Sequence, residues 1–170
     1  MRILGIDPGY ALVGWGVLDS AGGSFLLKGF GAITTEAGTA FPDRLAIIAA
    51  DMEQLLDKYR PDCLSIEKLY FNTNTTTAID VAQARGVVVA ACAKRGIAVC
   101  EYTPSQVKQS VVGYGKAEKA QVMEMVRRLL HLKKVPRPDD TADALALAIA
   151  HAHVTSGCRT ADGYRERQGI

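Results

Sequence analysis

The spacing of hydrophobic positions changes part-way along the chain. In "RILGIDPGY", Ile3, Leu4 and Ile6 make a short run that is apolar on both faces, and it stops at Asp7 and Pro8-Gly9. The next stretch, 12–19, alternates Val13, Trp15 and Val17 with Gly14 and Gly16, and 24–33 follows as a third extended segment. The link over 20–23 is short and glycine-rich, so the three predict an antiparallel meander. The period then becomes helical: Leu45, Ile48, Met52, Leu55, Leu56 and Tyr59 share one face, ending before Pro61.

From there strand and helix alternate. A fourth apolar strand, 62–67, ends in Glu67, and a helix over 76–94 closes at Arg95-Gly96. A fifth strand covers 97–102, Thr103-Pro104 opens a short helix, and a glycine loop spans 111–119. Val122, Met125, Val126, Leu129 and Leu130 mark another amphipathic helix, and a last one runs from "PDDTAD" through "ALALAIAHAHV". This order predicts an α/β fold: a mixed five-stranded sheet, three strands antiparallel and then parallel ones, with helices on both faces. It is the ribonuclease-H-like pattern. One domain over 1–155 is expected, with a polar, flexible tail over 156–170.

Composition narrows the class. The 170 residues are 48% apolar and 22% charged, as in a soluble globular protein. Net charge is only +2, but 94–137 holds ten Lys and Arg against Glu101, Glu118 and Glu124. The remainder is therefore net negative. Four cysteines without C-x-x-C spacing suggest reduced thiols. No apolar run is long enough for a membrane span and no signal peptide is evident, so a cytoplasmic location is expected.

The chemistry lies in the carboxylates. Asp7 and Glu67 both stand at the carboxyl ends of buried strands, and parallel neighbours lie about 4.8 Å apart. Two anions that close repel unless a cation joins them, and hard divalent metals prefer oxygen ligands. In "PDDTADALALAIA", Asp140 and Asp143 are three apart and share one side of a helix. The segment also imitates a helix cap, for which Asp139 is the better candidate, while Asp140 suits either role. Beyond Asp143 the helix has no polar side, so it is expected to be buried and to hold Asp143 against the sheet. Four carboxylates with two divalent ions make a site that splits phosphodiesters.

Taken together, "ILGIDPG", "IEKLY", "AQARGV", "QVKQSVVGYGKAEKAQV" and "DDTADALALA" resemble RuvC, the bacterial Holliday-junction resolvase family, over residues 2–155. The resemblance implies a Mg2+-dependent homodimeric endonuclease that nicks two opposed strands of a four-way DNA junction. It implies two ions per subunit, replaceable by Mn2+, and the quartet Asp7, Glu67, Asp140 and Asp143 as metal ligands and catalytic residues. It also implies RuvA-RuvB branch-migration partners. Lys108, Lys116 and Lys119 surround the glycine loop as DNA contacts, those matching Lys108 and Lys119 assisting cleavage. Tyr70 matches an aromatic wedge that would stack on an unpaired base. Lys68 has no assigned role, and His151 and His153, which point apart on a helix, are expected to be structural. The helix from Ala78 to Ala93, with the consecutive apolar run Val87 to Ala90, is the candidate for part of the dimer interface. Two other readings compete: a YqgF-type RNA-processing nuclease and, less well supported, a fragment of an actin-like ATPase.

Overall fold

Strand alternation decides which face each functional residue takes. The structure, a computed structural model, describes residues 1–69 and 75–168, with side chains over 1–69 and 77–156. In β1 (Arg2–Asp7), Leu4 and Ile6 enter one core while Ile3 enters the other. In β4 (Cys63–Glu67), Leu64 and Ile66 join the first core and Cys63 the second. Period two therefore sends Asp7 and Glu67 to the same face as Ile3 and Cys63.

With β2 (Leu12–Ala21), β3 (Ser24–Thr34) and β5 (Ala98–Tyr102), the strands form one sheet ordered β3-β2-β1-β4-β5. The first three strands pair antiparallel, and β4 pairs parallel with both β1 and β5. This is the expected mixed sheet. In the β1–β4 register Ile6 faces Ile66, and one residue further along stand Asp7 and Glu67.

One face is covered by α1 (Phe41–Tyr59) and α2 (Thr75–Lys94), whose Ile48, Met52, Leu56, Ala84 and Val88 lie in the core. Helix α1 ends where Arg60 adopts a left-handed conformation and Pro61 follows. Val88 is fully buried. The helix expected at the interface therefore has two sides: Val88 belongs to the core, whereas Ile79, Gln83, Gly86 and Ala90 face outward.

The opposite face carries α3 (Pro104–Val112), α4 (Lys119–Leu129) and α5 (Asp139–Gln168). Residues 144–150 of α5 are buried on every side, as the missing polar stripe predicts. Helix α5 lies closer to the sheet than helices usually can. A Cβ on Gly5 would lie 1.9 Å from the Ala144 carbonyl oxygen, and one on Gly14 would lie 2.2 Å from that of Asp140. Bare backbone at these strand positions makes the trough that α5 occupies. The buried Ser65 hydroxyl ties the helix down by donating to the Leu147 carbonyl at 2.7 Å.

One expectation needs correcting. Asp139 is already the first helical residue of α5 and not its cap; it pairs with Arg137. The backbone of α5 is helical from 156 to Gln168.

Candidate active site

The acids meet at the carboxyl ends of β1 and β4, under the first turn of α5. Gly14 sits opposite Asp7 in the β1–β2 register, and its missing side chain admits the Asp140 backbone beside Asp7. Asp143 follows one turn later on the same side of α5.

Electrostatics show how tightly the group is gathered. Burial pushes the Asp7 carboxyl up to about 8, and the charges of Asp143, Glu67 and Asp140 add to the shift while Lys119 opposes it. Glu67 is also raised, by burial first and then by Asp143, again opposed by Lys119. Asp7 and Glu67 resist ionising because they are buried among like charges.

Lys119 is the cation inside this cluster. As the first residue of α4 it reaches Asp143, with its Nζ 2.9 Å from Oδ2, and lies 3.8 Å from Asp139. Its ammonium pKa is raised, chiefly by the hydrogen bond to Asp143. The preceding loop fixes where Lys119 begins. Gly113 ends α3 in a left-handed conformation, with φ 98°, and at the start of α4 the Glu118 amide donates to the Gln121 side-chain oxygen at 2.9 Å.

Beside the acids opens a cavity of about 220 Å³, lined by Glu67, Asp143, Lys108 and Lys119 and floored by Val107 and Leu147. Lys108 and Lys119 therefore border the same space. Lys116 is exposed on the loop and does not line it. Tyr70 and its neighbour Phe71 lie outside the described residues. Lys68 is exposed; its amide donates to the Tyr102 carbonyl at 2.9 Å. The histidines pack as expected: His151 Nδ1 meets the Tyr102 hydroxyl at 2.7 Å, and His153 Nδ1 lies 2.9 Å from the Ser110 carbonyl.

The donor set is all carboxylate oxygen, the chemistry that suits a hard divalent cation. Among the described residues, no group of three or more His, Cys, Asp or Glu side chains is gathered closely enough to hold a metal ion as it stands.

Residues 3–151 match the sequence model of the family described as crossover junction endodeoxyribonuclease RuvC. The chain belongs to the RuvC family. A RuvC of Brevibacillus brevis is 53% identical over 166 residues, covering 98% of this chain and all of that protein. The RuvC structure of Thermus thermophilus superposes with a TM-score of 0.85 at 35% identity, covering 92% of this chain and 96% of that one. The same protein solved in complex with a Holliday junction substrate gives 0.84 at 33% identity, with the same coverage. RuvC membership sets aside the YqgF-type and actin-like readings, and the ribonuclease-H-like fold stands as expected. Among the described residues, no helix is long and apolar enough to cross a membrane.

The sequence reading missed Gly5 and Gly14. Their position opposite the N-terminal part of α5 lets the helix carboxylates reach Asp7, and two glycines within β-strands were the available signal.

Proposed function

We propose that this RuvC-family chain is a crossover junction endodeoxyribonuclease that resolves four-way DNA junctions by metal-dependent phosphodiester hydrolysis. One observation carries the reading: carboxylates from β1, β4 and α5 converge on one sheet face beside Lys119. The solved complex of the Thermus thermophilus relative with a Holliday junction supports the choice of substrate.

Asp7, Glu67, Asp140 and Asp143 would hold two Mg2+ ions per subunit, with Mn2+ as a substitute. When bound, the ions supply an acidified water and neutralise charge on the leaving oxygen of an in-line displacement. The chain's own residues do the rest. Asp7, buried beneath the cluster, holds its proton near neutral pH and releases it when a cation joins the acids. Lys119 holds Asp143 in place and presents an ammonium toward the cavity, where it would stabilise charge building on the phosphate. Lys108 and Lys116 would fix the DNA backbone through phosphate contacts, and Tyr70 would stack on an unpaired base.

Two symmetric nicks require two sites related by the junction's own two-fold axis, which a homodimer supplies. The outward stripe of α2, Ile79, Gln83, Gly86 and Ala90, is its interface in this reading, with Ile79 55% exposed. The RuvA-RuvB complex is the branch-migration partner, and the cytoplasm is where the reaction takes place. The test is purified protein with Mg2+ against a synthetic four-way junction, linear duplex, single-stranded RNA and ATP. Paired nicks confined to the junction are expected; equal cutting of linear duplex, or turnover of ATP, would exclude the proposal.

A further inference from the structure

The end of β4 that carries Glu67 is held by a side chain with no role so far. Arg85, on α2, donates from Nε to the Glu67 carbonyl at 3.1 Å. Its other arm pairs with the Glu101 carboxylate on β5. The β4–β5 register sets Ile66 opposite Glu101 and Glu67 opposite Tyr102, so one guanidinium spans the ends of two adjacent strands. Its side chain is 17% exposed. It stands next to the fully buried Ala84 and three residues from the fully buried Val88, which seat α2 on the sheet. The base of this clamp is therefore rigid.

The geometry is particular to arginine. A planar guanidinium offers donors in fixed directions and can serve a carbonyl and a carboxylate at once, whereas a lysine ammonium is a point charge on a flexible stem. The guanidinium reaches the Glu67 backbone and leaves the carboxylate free for the acid cluster. Helix α2 is already anchored by Ala84, Val88, Ala91 and Cys92 in the core, so Arg85 is not needed to hold the helix down. What its bond to the carbonyl adds is control over the peptide that follows Glu67.

We propose that Arg85 is a positioning residue for Glu67: by clamping the Glu67 carbonyl against Glu101, it sets the angle at which β4 leaves the sheet and so the direction of the Glu67 carboxylate. The proposal rests on the nuclease reading for its catalytic consequence. Groups that orient metal ligands from behind change metal affinity or activity by about 10- to 100-fold when removed.

The experiment compares Arg85→Gln, Arg85→Lys and Glu101→Gln with the full-length wild type. Four quantities are measured: melting temperature without metal, the rise in melting temperature caused by Mg2+ alone, junction affinity in EDTA, and single-turnover cleavage against Mg2+ concentration. Arg85→Gln is expected to melt and bind as the wild type does, to cleave about 10- to 100-fold more slowly, and to need more Mg2+. Its Mg2+-induced rise in melting temperature should shrink. Arg85→Lys should recover part of the rate, and Glu101→Gln should lose less than Arg85→Gln in the same direction. Wild-type cleavage and Mg2+ response in Arg85→Gln overturn the proposal, as does a loss of rate matched by equal losses of binding and stability. If Arg85→Gln does not fold, Glu101→Gln decides, and an unchanged rate and Mg2+ response there overturn it. If the wild type itself cuts no junction, the nuclease reading fails while the Mg2+-induced melting shift still judges Arg85.

Discussion

Gly14→Ala places one methyl group where the structure leaves no room for it. The new Cβ would lie 2.2 Å from the Asp140 carbonyl oxygen, and real Cβ atoms do not come closer than 3.0 Å, so strand and helix must part by about 0.8 Å. The obstacle is backbone, which cannot rotate aside. Overpacking of this kind costs about 1–3 kcal/mol, and each kcal/mol lowers the melting temperature of a domain this size by roughly 2–4 °C. The larger effect should be on catalysis. The displaced turn carries Asp140 and leads to Asp143, and a misplacement near 1 Å can cost about 100-fold in rate. Gly16→Ala is the internal comparison, because its Cβ would meet the Leu145 side chain at 2.5 Å. Leu145 can adjust its rotamer, and it lies further along α5 from the acids. Differential scanning fluorimetry and single-turnover junction cleavage measure both variants. A Gly14→Ala protein that melts and cleaves as the wild type does would refute the idea that glycine gaps set the carboxylate geometry.

The pH dependence follows from Asp7. Its carboxyl titrates near 3.9 in an unfolded chain but is pushed up to about 8 in the fold. Between those values the folded protein keeps a proton that the unfolded chain has lost, so metal-free stability falls as pH rises through that window. Asp7→Asn should therefore gain on the wild type in EDTA as pH rises toward about 8 and level off above it; a difference that does not vary with pH would count against this. Lys119→Ala should slow single-turnover cleavage far more than it weakens junction binding, because Lys119 contacts Asp143 at the site itself. Unchanged turnover with weaker, less salt-sensitive binding would make it a positioning contact only. Gly86→Arg, on the open side of α2 with nothing within 4 Å of its Cβ position, should give a folded monomer that nicks without paired cuts. Val88→Glu should instead unfold the domain, since Val88 is fully buried; light scattering and circular dichroism distinguish the two cases.

Much of the fold was legible because its signals are local. Alternation in 12–19 and helical spacing in 45–59 need no tertiary knowledge, and a carboxylate ending an apolar strand is visible at Asp7 and at Glu67. What stayed hidden depends on packing between distant segments. Gly5 and Gly14 read locally as strand weaknesses, and only the seat of α5 reveals them as the trough that brings Asp140 to Asp7. Val88 sits in a run of valines with no polar break, so the sequence could not say which of them faces the sheet. Arg85 lies within a motif quoted for the family resemblance, but its partners are 16 and 18 residues away. Asp139, Asp140 and Asp143 all suit a helix start chemically, and only the observed first turn removes Asp139 from the capping position.

The most direct measurement compares junction binding with junction cleavage in Asp7→Asn, Glu67→Gln and Asp143→Asn beside the wild type. Binding is read without metal at one salt concentration, and cleavage in Mg2+ under single-turnover conditions. Removing negative charge from a surface that faces DNA phosphates should leave binding intact or strengthen it, while each substitution abolishes cleavage. A variant that still cuts the junction, or one that loses binding along with cleavage while remaining folded, would contradict a metal-dependent catalytic centre at these carboxylates.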